Sequence, residues 1–171
     1  MVWTATSTGR VFVTTNALAA DPSQIAWHRI DTSSSVDPNR YVTDIYVDTQ
    51  NPNHAYVSYS GYNQATPLTP GHVFEVSYDP ATFAATFTSL DGTGNKALGD
   101  LPVGTVALDE KKDTLYAGTD FGIVTRNGND AWKDAHPGLP TTTIPYLTID
   151  QANRVMYVTT HGFGAWTLNL P

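Results

Sequence analysis

Two carboxylates facing each other across a sugar are the smallest apparatus that hydrolyses a glycosidic bond. The 16 acidic residues of this 171-residue chain are therefore the first place to look for chemistry. Asp48, Asp109 and Asp150 each end an apolar segment and precede a tyrosine by 8, 7 and 7 residues. A feature copied three times reads as structural: Asp at a strand end accepts backbone N–H groups and turns the chain. Asp44 and Asp120 fall outside that regularity and are the catalytic candidates. The five histidines (His28, His54, His72, His136, His161) form no i, i+2 or i, i+4 pair, so no metal site is expected. With no cysteine, disulfides, thiolate metal sites and cysteine nucleophiles are excluded. There is no Gly-x-Ser-x-Gly elbow or Walker loop, and Gly162 and Gly164 lead into a strand instead of a helix, so no cofactor is expected.

Binding has better material. Tyr62, Asn63 and Gln64 combine a stacking ring with two amides, a set suited to neutral polar ligands such as glycans or peptides. They lie in one long insertion, Tyr59 to Gly71, and a second insertion runs from Ser89 to Leu101. His161, in a Thr-His-Gly context, joins them as a ligand-binding candidate. Trp3, Trp27, Trp132 and Trp166 fall on expected strands, where burial between packed sheets is the default use and stacking on sugars the other.

The elements that position these residues are strands. The chain has 25 threonines and only 15% charged residues, against roughly 25% in an average soluble domain. Thr is β-branched and strand-prone, while the helix formers Glu and Lys are scarce. Three segments repeat one pattern of strand, Asp-headed turn, strand: Asp44–Asp48 into Ala55–Tyr59, Thr105–Asp109 into Leu115–Thr119, and Tyr146–Asp150 into Met156–Thr160. A glycine-led third strand follows each, at Gly71–Val76, Gly122–Thr125 and Gly164–Leu168. A fourth follows in two copies, at Thr86–Leu90 and Ala131–Asp134. The N-terminal segment fits the same frame without its first strand: Val2–Thr6, Gly9–Thr14 and Ala26–Ile30. From Tyr116 to Tyr157 the period is 41 residues. Four-stranded antiparallel units at that spacing predict β-propeller blades, with a β-sandwich as the alternative all-β fold. The expectation is about three and a half blades in a single segment 1–171, at approximately 1–32, 41–90, 103–135 and 143–171. Both insertions then emerge on one ring face, and Asn16–Ile25 on the other.

Leu115-Tyr116-Ala117-Gly118-Thr119-Asp120-x-Gly122-Ile123 followed by Trp132, then Gly138-Leu139-Pro140 and Thr160-His161-Gly162-x-Gly164-x-Trp166, resembles the sortilin-type, Asp-box (BNR-like) propeller repeats. The box, Ser-x-Asp-x-Gly-x-x-Trp in that family, is Thr125, Asn127, Asn129 and Trp132 here, and Phe163 stands where many relatives carry Arg. The resemblance implies the C-terminal blades of a larger propeller, and a family that spans receptors, hydrolases and assembly factors.

Charge and hydropathy narrow the partners. Nine Lys and Arg against 16 Asp and Glu give a net charge of −7, too few cations for a phosphate backbone, so no nucleic acid is expected. Apolar runs reach only four residues, so no membrane span is expected. The start at Met1 runs directly into strand-like sequence with no secretory leader visible. Low Lys with abundant Thr, Ser, Asn and Tyr points to a secreted, periplasmic or cell-surface protein. Unclosed blades leave edge strands that invite pairing with a missing propeller half or with another copy. The expected function is a non-catalytic binding or scaffold module taking glycan or peptide on the loop face. The alternative is a glycoside hydrolase (xyloglucanase- or sialidase-like) propeller that contributes one half of its active site here.

Overall fold

The computed structural model describes residues 1–135 and 138–171, so His136 lies outside the described residues. Within them the chain is all-β, in four antiparallel sheets. Blade 1 holds β1 (Val2–Ala5), β2 (Val11–Thr14) and β3 (His28–Arg29). Blade 2 holds β4 (Val42–Val47), β5 (His54–Tyr59), β6 (Val73–Asp79) and β7 (Ala84–Ser89). Blade 3 holds β8 (Val103–Asp109), β9 (Thr114–Thr119), β10 (Gly122–Asn127) and β11 (Lys133–Asp134), and blade 4 holds β12 (Tyr146–Asp150), β13 (Val155–Thr160) and β14 (Gly164–Asn169). Each blade is a meander in which sequential strands pair, as the repeat predicts. The fourth strand of blade 3 and its counterpart β3 are shorter than expected, because pairing stops before Trp132 and Trp27. An outermost strand has one ladder to hold it, and few residues satisfy that ladder.

The core lies between blades. Val11, Val13 and Ile30 pack with Val57, Phe74 and Val76 between blades 1 and 2. Val73, Val106, Leu108, Leu115 and Trp132 form the next layer, and Tyr116, Ile123, Ile144, Leu147, Met156 and Val158 the third. First strands lie side by side, β4 against β8 and β8 against β12. Bulges in β4 and β8 shift the register between Val42 and Asp44 and between Val103 and Thr105, which re-aims the side chains that follow. Gly118 permits the close approach of blade 4: a Cβ there would lie 2.7 Å from Ile144 Cγ2.

The repeated aspartates behave alike. Asp48 Oδ1 accepts the Gln50 N–H at 2.8 Å, Asp109 Oδ1 the Lys111 N–H at 3.1 Å, and Asp150 Oδ1 the Asn153 N–H at 2.9 Å. The side chain of Asn127 donates to the Lys112 carbonyl at 2.7 Å and ties the end of β10 to the β8–β9 turn. No helix among the described residues is long and apolar enough to cross a membrane.

Candidate functional site

The meander sends the β5–β6 connection and the link from β7 to β8 to the same end of the blades, here called the loop face. Residues 60–72 and 90–102 meet there and are fastened to each other by hydrogen bonds to Asp91 and Asp100. Arg40, entering from the preceding link, is buried; its Nε donates to the Ser60 carbonyl at 3.0 Å and its Nη1 to Thr66 Oγ1 at 2.7 Å, while Nη2 donates to the Gly71 carbonyl. Burial draws its guanidinium below the ordinary arginine range, and Asp91 and Asp100 oppose that shift.

His72 is fully buried between two carboxylates. Its Nδ1 lies 2.8 Å from Asp91 Oδ2 and its Nε2 lies 3.2 Å from Asp100 Oδ1. Asp91 Oδ1 also accepts the backbone N–H groups of His72 and Val73, and Asp100 Oδ1 accepts the Asn63 N–H at 2.8 Å. One loop is thus bonded to the other from both of its ends. Between them lies a groove of about 280 Å³, lined by small or polar residues that include Asn63, Gly71, Ser89, Asp91 and Gly99.

Of the ligand-binding candidates, Tyr62 and Gln64 are exposed on the 60–72 loop and Asn63 lines the groove. The Asn63 side-chain oxygen Oδ1 is already committed, accepting the Gly71 N–H at 2.8 Å and an Arg40 N–H at 3.4 Å. His161 is exposed in the β13–β14 turn on the same face, two blades away. Asp44 sits on the first strand of blade 2 with both oxygens engaged. Oδ2 accepts from Thr105 Oγ1 at 2.7 Å and the Val106 N–H at 3.1 Å, and Oδ1 accepts the Ile45 N–H at 2.8 Å. Asp120 stands in the two-residue β9–β10 turn, and no partner for its carboxylate occurs among the described residues. Neither Asp44 nor Asp120 lines the loop groove. Among the described residues no group of three His, Asp or Glu side chains could hold a metal ion.

Arg40, His72, Asp91 and Asp100 went unmarked by motif and spacing. One signal for Asp91 was present. Ile30-Asp31 and Leu90-Asp91 are equivalent apolar–Asp pairs closing the outer strands of blades 1 and 2. Asp31 Oδ1 accepts the Val11 N–H at 2.9 Å as Asp91 Oδ1 accepts that of Val73 at 3.0 Å. Asp37, fully buried in the link between these blades, accepts the Tyr59 O–H at 3.2 Å and the Asn39 N–H at 2.6 Å. Its pKa is pushed up to about 6 by burial.

No family model matches the chain, and no curated protein matches it in sequence. Solved structures do resemble it. A gluconolactonase from Xanthomonas campestris is 16% identical with a TM-score of 0.51, over 99% of this chain and 56% of its own. A luciferin-regenerating enzyme is 15% identical at 0.53, over 93% of this chain and 52% of its own. The extracellular domain of a one-component system from B. thetaiotaomicron is 18% identical at 0.55, over 97% of this chain and 21% of its own. The chain therefore spans about half the length of the two enzymes and a fifth of the third protein. At such identities the likeness shows the fold alone, an all-β architecture of propeller-like blades.

Proposed function

We propose that the chain is a non-catalytic binding or scaffold module of Asp-box-like blades, belonging to a secreted or surface protein, and that it takes a glycan or peptide on the loop face. The observation that carries this is the rigid groove between residues 60–72 and 90–102. Arg40 braces residues 60–72 from within, and Asp91 and Asp100 bond that insertion to the other through His72 and Asn63, leaving about 280 Å³ between them with exposed Tyr62 and Gln64 beside Asn63. Binding resides where long loops stand on a fixed scaffold, and a preorganised groove spares a ligand the cost of ordering them. In a scaffold role the uncovered sides of blades 1 and 4 would be closed by further blades, from a larger propeller or a second copy.

A panel of neutral oligosaccharides and uncharged peptides, followed by calorimetry on the best binder, tests the proposal. Tyr62→Ala and Asn63→Ala should each weaken that binder about tenfold. Affinity unchanged in both variants overturns the assignment of the groove. Hydrolysis of xyloglucan or β-glucans that disappears in Asp44→Ala or Asp120→Ala would instead favour the hydrolase alternative.

A further inference from the structure

The interfaces between blades 2 and 3 and between blades 3 and 4 share one plan at the turn aspartate, and the residue set to face that aspartate differs in the sign of its charge. Between blades 3 and 4 the turn aspartate Asp109 is 1% exposed and is held by Arg154 of the next blade, Nη2 to Oδ2 at 2.6 Å, with Nη1 on the other oxygen. Arg154 is the last residue before its blade's second strand and has φ 57°. The residue at the same place in blade 3 is Asp113, with φ 49°. The turn aspartate it should meet is Asp48. Between blades 2 and 3, then, Asp113 stands where Arg154 stands one interface further on, and the partner of Asp48 is His54 of its own blade.

A cavity of about 320 Å³ opens there, on the face opposite the loop groove. Asp48, Asp113 and Glu75 supply its carboxylates, and Leu108, Leu115 and the Tyr56 ring its apolar wall. His54 braces two of the acids, with Nδ1 3.3 Å from Asp48 Oδ2 and Nε2 2.8 Å from Glu75 Oε1. The Glu75 side chain stays 42% exposed. Arg126 also lines the cavity, but its guanidinium is committed to the Gly128 carbonyl at 2.7 Å, the Leu90 carbonyl and Asn129 Oδ1 at 3.4 Å.

We propose that this cavity binds a guanidinium on an aliphatic stem, the arginine side chain of a peptide or of the free amino acid, in the place that Arg154 fills one interface further on. Planar guanidinium matches paired carboxylate oxygens, and its stem is covered by apolar walls. The site is independent of the loop groove, so either can fail alone.

Calorimetric titration with N-acetyl-L-arginine N-methylamide, its uncharged citrulline counterpart and free L-arginine tests the assignment. The arginine compound should saturate at millimolar concentration or below, and the citrulline compound should bind at least about tenfold more weakly. Tighter binding of the blocked compound identifies a peptide as the source, and tighter binding of free arginine the amino acid. Glu75→Gln should weaken binding several-fold. Asp113→Arg, which rebuilds the arrangement at Asp109, should abolish binding and raise Tm. Equal binding of the arginine and citrulline compounds, no saturation by about 10 mM, or undiminished binding by Asp113→Arg would each overturn the proposal.

Discussion

Tyr116 and Tyr157 occupy the same place in successive blades, facing Ala107 and Thr148 on the first strand and Thr125 and Thr167 on the third. Tyr116 is nevertheless 9% exposed and Tyr157 48%. Around Tyr116, Thr105, Gly118 and Ile123 are buried; around Tyr157, the equivalent Tyr146, Thr159 and Ala165 are exposed. The strand pattern sets which side chains share a face, and the neighbouring blade decides whether that face is core. A blade is therefore half of two interfaces, and its own sequence does not say which are filled.

The largest effect should separate those two tyrosines. Tyr116→Ala should destabilise the chain by about 3–5 kcal/mol, in the range for removing a buried aromatic, and Tyr157→Ala by less than about 1 kcal/mol. Urea unfolding midpoints at constant m-value check this, and equal losses would mean that the two faces are not covered differently. A smaller contrast is expected between the acids. Asp44→Ala takes the carboxylate acceptor from the Val106 N–H at the joint of blades 2 and 3, leaves the Thr105 hydroxyl only the Leu147 carbonyl at 3.4 Å, and should cost about 1–3 kcal/mol. Asp120→Ala should stay within about 0.5 kcal/mol.

The pH profile sharpens the comparison further, because two interfaces carry acids shifted in opposite directions. Asp109 is held below its ordinary 3.8 by Arg154, so its contribution is complete above pH 3.8 and is lost as pH falls through the lower folded value. Asp37 is raised from 3.8 to about 6 by burial, so the folded state holds its proton longer than the unfolded chain. Stability from Asp37 is complete below pH 3.8 and declines as pH rises towards 6 and beyond. Asp37→Asn should flatten the pH dependence of the urea midpoint between about pH 4 and 6 while leaving the acid limb in place. A profile unchanged in that window would place Asp37 in solvent.

Much of the fold was legible because it repeats. Asp48, Asp109 and Asp150 cap the same turn, and the tyrosines that follow them share one register. The insertions were legible as long stretches between strand patterns. The contacts that lock them were not, because His72 and Asp91 are 19 residues apart and Asn63 and Asp100 are 37 apart. Such contacts arise when two loops fold over each other and leave no period in the sequence. The tryptophans divide by the same logic as the tyrosines. Trp132 is buried with its Nε1 donating to the Leu90 carbonyl at 2.8 Å, whereas Trp27 and Trp166 are half-exposed on the end blades.

Residue-resolved tyrosine nitration, read by mass spectrometry, tests the side-by-side arrangement of blades most directly. Tyr157 and Tyr146 should react at least about tenfold faster than Tyr116, since only the former lie on an uncovered blade face. Nitration of Tyr116 as fast as Tyr157 would contradict the packing of blade 4 against blade 3.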